Sequence, residues 1–296
     1  MTTFQTQYYP VVAASFAFFL GFFLYVSPWL SRRLSARYRD LPCQKQLDWD
    51  TRSSFLNRSN KKKTVFYRTT STLHALVVGP WSLYILLVDT ALSEDPVWND
   101  SVAAKSCIAV TVGYTITDVF ALTVYFRYIG DMAFLLHHFG TLYAFIYVLS
   151  YGTLPYFAVF RLFCELSTPF VNNRWFLDAL NHPRMSKAFV GNGLLMTGSF
   201  FLVRIAVMPI YWYKVYTVIE TEPYHRLGFG AQFCWISVCI VLDVLNVVWF
   251  RKMLRGARKV LRRDTTKDLN KNISREQPEN QPMQTHNVNG KTHKTE

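Results

Sequence analysis

Apolar runs of eighteen or more residues recur along this chain between polar breaks, and each is long enough to cross a bilayer as a helix. They lie near 9–30, 69–90, 106–129, 133–151, 154–171, 188–212 and 229–250. Backbone in hydrocarbon must satisfy its own hydrogen bonds, so the pattern predicts an all-α membrane protein with about seven transmembrane helices. The fourth and fifth runs are joined only by Tyr151-Gly152-Thr153-Leu154-Pro155, which predicts a helical hairpin. Only 17% of residues are charged, against about a quarter in soluble domains.

The net charge of +13 is placed where a membrane explains it. Segment 31–68, Arg127, Arg174, Arg184, Lys187 and the tail after 250 together carry 27 Lys and Arg, whereas the alternate loops carry Lys105, Lys214 and Arg226. Basic residues flank the cytosolic ends of spans, so the N-terminus is expected to be lumenal and the C-terminus cytosolic. Anionic headgroups account for these cations, and nucleic acid is not an expected partner. The first run has no basic n-region and is followed by bulky Pro28-Trp29-Leu30, which favours an anchor held by Arg32 and Arg33 over a cleaved signal. Of the N-x-[ST] sites Asn57, Asn99 and Asn272, only Asn99 falls on the lumenal side, close to the membrane. The five cysteines, Cys43 among them, show no C-x-x-C pair or metal-ligand spacing, and no metal site is expected. After Phe250, RKMLRGARKVLRR reads as a basic amphipathic extension of the last helix or as an ordinary positive flank, and 264–296 is polar and expected to be disordered.

A charge near the bilayer centre costs ~2.5–3.5 kcal/mol on insertion scales, so intramembrane ionisable residues turn inward and mark candidate sites. They are His74, Asp118, His137, His138, Arg161, Glu165, Arg204 and Asp243. At roughly 1.5 Å per residue, His74, His137, His138, Glu165 and Asp243 each lie roughly 6–11 Å from the cytosolic end of their spans. Asp118 comes out deeper, and Arg204 falls in the lumenal half. Arg161, Glu165, Thr168 and Asn172 share one helical face, and Arg161 and Glu165 are spaced to pair at i, i+4. Thr111, Thr115 and Asp118 repeat the pattern in the third run, and Asp243 and Asn246 in the seventh. Two readings remain open: interhelical hydrogen bonds that only join helices, or a functional polar chamber. Within a chamber an imidazole can act as general base, as acyl-carrying nucleophile or as proton relay, with a carboxylate to orient it. No H-E-x-x-H, P-loop, G-x-S-x-G or Rossmann fingerprint supports other common chemistries.

LDWDTRSSFLNRSN, STLHA at His74, GYTITDVF around Asp118, HHFGT at His137-His138 and ELSTPFVNNRWFL from Glu165 occur in this order over about 46–252. In these elements the chain resembles the TLC homology domain of translocating-chain-associating proteins, longevity-assurance ceramide synthases and a ceroid-lipofuscinosis protein. The resemblance is to the branch without an inserted soluble domain. It implies six helices around a lipid-accessible cavity, a peripheral first helix, and residence in the endoplasmic reticulum. It also implies an active-site role for His137 and His138, since paired histidines serve ceramide synthases in acyl transfer from coenzyme A. Ceramide synthases follow them with a DxxD pair, where this chain has Glu165 and Thr168, which argues against ceramide as product.

The expected organisation is a signal-anchor helix and basic flank over 1–45, a TLC domain over 46–252, and a basic segment with disordered tail over 253–296. The leading expectation is membrane lipid homeostasis, with His137 and His138 as reactive centre and Glu165 as orienting carboxylate. His74, Asp118, Arg161, Asn172 and Asp243 are the expected substrate-binding set. No cofactor is expected beyond acyl-CoA as co-substrate, and membrane lipids are the expected partners. An acyl-CoA-dependent acyltransferase, a non-enzymatic lipid sensor, chaperone or cargo adaptor, and a proton-coupled transporter all fit the residues.

Overall fold

A computed structural model describes residues 5–34, 68–124, 132–180 and 182–276, with side chains described only up to 259. Cys43, Asn57, Arg127, the stretch 47–60, the boundary at 45/46 and the tail beyond 276 lie outside the described residues.

Every regular element among the described residues is helical. In chain order they are α1 (Tyr9–Gly21), a π-helical segment (Phe22–Val26), α2 (Ser27–Leu34), α3 (Arg68–Val88), α4 (Thr90–Glu94), α5 (Val102–Val124) and α6 (Met132–Tyr151). There follow α7 (Pro155–Phe163), a 3-10 turn (Cys164–Ser167), α8 (Thr168–Ala179), α9 (Lys187–Phe200), a second π segment (Phe201–Ile205), α10 (Met208–Ile219), α11 (Glu222–His225) and α12 (Phe229–Glu276). Proline opens α1, α7, α8 and α10, where its missing N–H would have had no helical partner.

Six helical stretches are long and apolar enough to cross a membrane: Tyr9–Val26, Arg68–Val88, Val102–Val124, Met132–Tyr151, Lys187–Ile219 and Phe229–Lys259. This is an all-α membrane protein. The fifth run expected at 154–171 is helical from Pro155 onward, but the 3-10 turn divides it into pieces of nine, four and twelve residues. It also continues to Ala179, taking Arg174, counted above with the loop cations, into the helix, while Asn172 ties it to α3 and Asn173 to Asn192 of α9. The helix begun at Phe229 runs on to Glu276, through residues expected to be disordered. That stretch has no glycine or proline after Gly256, and Asp264–Lys267 and Asp268–Lys271 have helix-supporting spacing. The chain divides into the units Met1–Ala257 and Arg258–Glu296, and all that follows concerns the first.

α1 docks on α5 through a close approach. A Cβ on Gly113 would lie 2.6 Å from Ser15 Cβ, Val12 O and Phe16 N, and Ser15 Oγ donates to Val110 O at 2.7 Å. The α6–α7 hairpin turns through two left-handed residues, Gly152 (φ 65°) and Leu154 (φ 57°). The Leu154 N–H is anchored on Val97 O at 2.6 Å. Leu154, Phe157, Tyr211 and Trp235 belong to one apolar core that also holds Val78, Ile85 and Ile108.

Candidate functional site

Two cavities meet inside the bundle. The first, about 110 Å³, runs from His74, His137 and His138 to Leu154, Phe157 and Trp235. The second, about 310 Å³, is bounded by Arg68, Asn172, Trp249 and Lys252. Tyr114, His137, His138, Glu165 and Arg204 line both.

His138 belongs to the shared wall, and Asp118, which lines the second cavity alone, lies against it. α5 and α6 bring His138 Nδ1 to 2.9 Å from Asp118 Oδ2, with the side chains 12% and 3% exposed. Asp118 Oδ2 is buried with no aligned hydrogen-bond donor, so in this geometry the pair is joined by proximity of charge. Phe134 lies against His138, with ring centroids 4.4 Å apart. His137 meets His138 edge-on at 5.4 Å and Trp249 at 5.3 Å, and its Nδ1 is buried without a hydrogen-bond partner. His74 stacks on Tyr114 at 3.9 Å, with Nε2 3.4 Å from Thr111 Oγ1.

Glu165 is held differently from the expectation. Its Oε1 lies 3.5 Å from Arg204 Nη2, while Arg204 donates to Ser167 Oγ (3.0 Å), Asn246 Oδ1 (3.3 Å) and Thr168 Oγ1 (3.3 Å). Arg204 and Glu165 therefore share one level, which puts Glu165 deeper than the sequence placed it. The misplacement comes from ending the fifth run at 171: with the helix continuing to Ala179, Glu165 lies deeper and level with Arg204. The carboxylate beside the paired histidines is Asp118, not Glu165.

Arg161 does not pair with Glu165 either. It binds Asp243 through both terminal nitrogens, at 2.5 and 3.2 Å, and lies 3.9 Å from the Tyr211 ring centroid. Trp212 Nε1 donates to Asp243 Oδ2 at 2.8 Å. Glu165 sits in the 3-10 turn, whose tighter winding rotates it away from the i+4 position of a continuous α-helix. Asp243 lines neither described cavity; with Arg161 it joins α7, α10 and α12. Asn172 is similarly committed: it accepts from Arg68 Nη1 at 3.0 Å and donates to Thr72 Oγ1 (3.0 Å) and Ser71 Oγ (3.2 Å), tying α8 to α3. It still forms part of the second cavity's wall.

The geometry adds Arg68, Tyr114, Trp249 and Lys252, which sequence reasoning did not select. Tyr114 precedes Asp118 by one helical turn, a usable signal. Arg68 and Lys252 read as ordinary flanking cations, and nothing in their spacing separates them from the others.

Helices of spanning length around a buried histidine–carboxylate centre define a multi-pass membrane protein with an internal polar chamber. A family model for the TLC domain matches residues 67–255, and the chain belongs to the TLC domain family. It is 46% identical over 251 residues to TLC domain-containing protein 4-B of Danio rerio, covering 85% of this chain and 89% of that protein. It is 43% identical over 251 residues to TLC domain-containing protein 4 of Homo sapiens, with the same coverages of 85% and 89%. The more distant TLC domain-containing protein 2 of Danio rerio is 23% identical over 190 residues, covering 64% of this chain and 74% of that protein. No solved structure matches the chain. The residues named above that line the two cavities all fall within the matched domain.

Proposed function

We propose that this chain is an acyl-CoA-dependent lipid acyltransferase of the endoplasmic reticulum membrane, acting in lipid homeostasis. The observation that carries the reading is the 2.9 Å contact of Asp118 with His138, the histidine that lines both cavities. A carboxylate accepting the Nδ1 proton fixes the imidazole tautomer and leaves Nε2 as the basic nitrogen. Nε2 takes the proton from a lipid hydroxyl or amine as that oxygen or nitrogen attacks the thioester carbon. The carbon–sulfur bond breaks, and the departing thiolate takes the proton back from the imidazolium, giving an acylated lipid and free coenzyme A. Asp118 stabilises the imidazolium meanwhile. Arg204 has five N–H groups, four of them directed at Ser167, Asn246, Thr168 and Glu165, which leaves one on Nη1 for the thioester oxygen.

The orientation follows from the charge bias: N-terminus lumenal, C-terminus cytosolic. The second cavity, with Arg68 and Lys252, then faces the cytosolic supply of acyl-CoA.

The test is acyl transfer by purified protein given labelled acyl-CoA and a lipid extract, comparing wild type with His137→Ala/His138→Ala. Label passing to a lipid, or held covalently, in wild type alone supports the reading. If neither protein turns over acyl-CoA while a lipid co-purifies with both, the chamber is a binding site and the histidines are structural.

A further inference from the structure

The walls of the first cavity are not held together equally. α7 is clamped to α12 by Arg161–Asp243, and α10 to α12 by Trp212–Asp243 and by Trp235 Nε1 donating to Tyr211 Oη at 3.1 Å. α5 is joined to α6 through Asp118–His138, and the 3-10 turn to the second π segment through Arg204. The α6–α12 wall differs. Tyr143 Oη lies 3.7 Å from Cys234 Sγ, a weak acceptor, and His137 and Trp249 meet edge-on. Between those contacts Gly140 offers no side chain: a Cβ there would have Val238 Cγ1, 4.0 Å away, as its nearest neighbour. Among the described residues no ion pair crosses this seam. Its outer rim is apolar and open, with Leu136 55%, Tyr143 52% and Val244 56% exposed, so in a membrane it is bathed in lipid chains.

Immediately behind Gly140, on the cavity side, two polar atoms are buried without a partner: Thr141 Oγ1 and His137 Nδ1, one helical turn apart. Thr111, Thr115 and Thr197 close their hydroxyls onto the carbonyl four residues back, and Thr141 does not. A hydroxyl left unpaired in an apolar interior costs free energy that a ligand group can recover. The charged residues that line the first cavity are already matched, Arg161 by Asp243 and Arg204 by Glu165, so the polar end that fits Thr141 and His137 is neutral.

We propose that the α6–α12 seam at Gly140 is a lateral portal through which a bilayer lipid slides one acyl chain into the first cavity, its neutral hydroxyl or amine meeting Thr141 Oγ1 and His137 Nδ1. This rests on the proposed function only in naming that lipid as the acyl acceptor. Each substrate then has its own route: the acyl donor through the cationic second cavity, the lipid sideways from the bilayer, and the two meet at His138.

The portal can be closed covalently. Gly140→Cys with Val238→Cys places two thiols across the gap, within reach of a disulfide after a small closure, in a Cys234→Ser background that removes the neighbouring thiol. The full chain is reconstituted in phosphatidylcholine vesicles with a diacylglycerol carrying a diazirine and an alkyne in one acyl chain. Photolabelled peptides are then mapped by mass spectrometry. We expect the reduced protein to be labelled on cavity segments 141–148 and 235–242, oxidation to lower that labelling severalfold, and reductant to restore it. Equal labelling in the oxidised and reduced states, or no labelling of these segments in wild type, overturns the portal. Should the double-cysteine protein fail to fold, Gly140→Leu fills the same gap and is expected to give the same severalfold fall; full labelling of that variant overturns the portal equally. Thr141→Val, which keeps the shape and removes the hydroxyl, is expected to weaken labelling with the seam intact. Portal-dependent labelling of a protein that transfers no acyl group keeps the portal and removes the acyltransferase reading.

Discussion

Replacing Asp243 by Ala leaves the Arg161 guanidinium, 13% exposed, with no carboxylate and strips Trp212 Nε1 of its acceptor. Breaking a buried ion pair by removing one partner costs about 3–5 kcal/mol. A lone cation in the hydrocarbon costs roughly 2.5–3.5 kcal/mol on insertion scales. The two agree on a loss of about 3 kcal/mol for Asp243→Ala. Removing both charges, as in Arg161→Met/Asp243→Leu, leaves only the indole N–H unmatched, about 1–3 kcal/mol before repacking. With a similar loss for Arg161→Met alone, the double variant should be more stable than the two single losses summed, with a coupling of about 3 kcal/mol. The assay is reversible unfolding in mixed micelles, titrated with a denaturing detergent and followed by fluorescence of the eight tryptophans. Arg161→Met combined with Glu165→Gln is the control: the sequence spacing pairs those residues, the structure does not, and their effects should add within about 0.5 kcal/mol. The reasoning is refuted if Asp243→Ala unfolds within about 1 kcal/mol of wild type. Strong coupling of Arg161 to Glu165 refutes it equally.

Three other outcomes are expected. Asp118→Asn removes an interaction worth about 4 kcal/mol at roughly 4 Å charge separation, so single-turnover acyl transfer should fall about a thousandfold with the fold intact; a loss under about tenfold contradicts the role given to Asp118. Gly113→Ala drives a Cβ into the α1 backbone at 2.6 Å and should destabilise by about 1–3 kcal/mol, read as a lower melting temperature and faster proteolysis within α1; unchanged values contradict the close packing of α1 on α5. In sealed microsomes, added protease should remove a C-terminal tag and spare an N-terminal one, and the reverse pattern contradicts the orientation drawn from the basic flanks.

The spans could be read from the sequence because hydrocarbon thickness and internal hydrogen bonding leave few options for apolar runs of this length. The inward polar seam was legible for the same reason, since a period fixes which side chains of one helix share a face. Which helix that face meets is set by packing between distant segments. So Arg161 reads as the neighbour of Glu165 but binds Asp243, eighty-two positions away. Asp118 was placed deeper than the histidines because depth was counted along isolated helices, yet it touches His138. The fifth run reads as ending at 171 because polarity alone does not tell a helix end from a residue such as Asn172, enclosed by Arg68, Ser71 and Thr72.

The second π segment sets a constraint on chain length. Within Phe201–Ile205 the hydrogen-bonded loop is one residue longer than in an α-helix, as the Ala206 N–H bonding to Phe201 O at 2.8 Å shows. Upstream of it Asn192 grips α8 through Phe170 O and Asn173; downstream Tyr211 and Trp212 grip α12. Deleting any single residue in the segment would restore plain helical winding and swing one set of contacts about 100° away from the other. Relatives that keep both sets must keep this spacing, so a one-residue gap in an alignment here marks a differently assembled bundle, even where every residue on either side is identical.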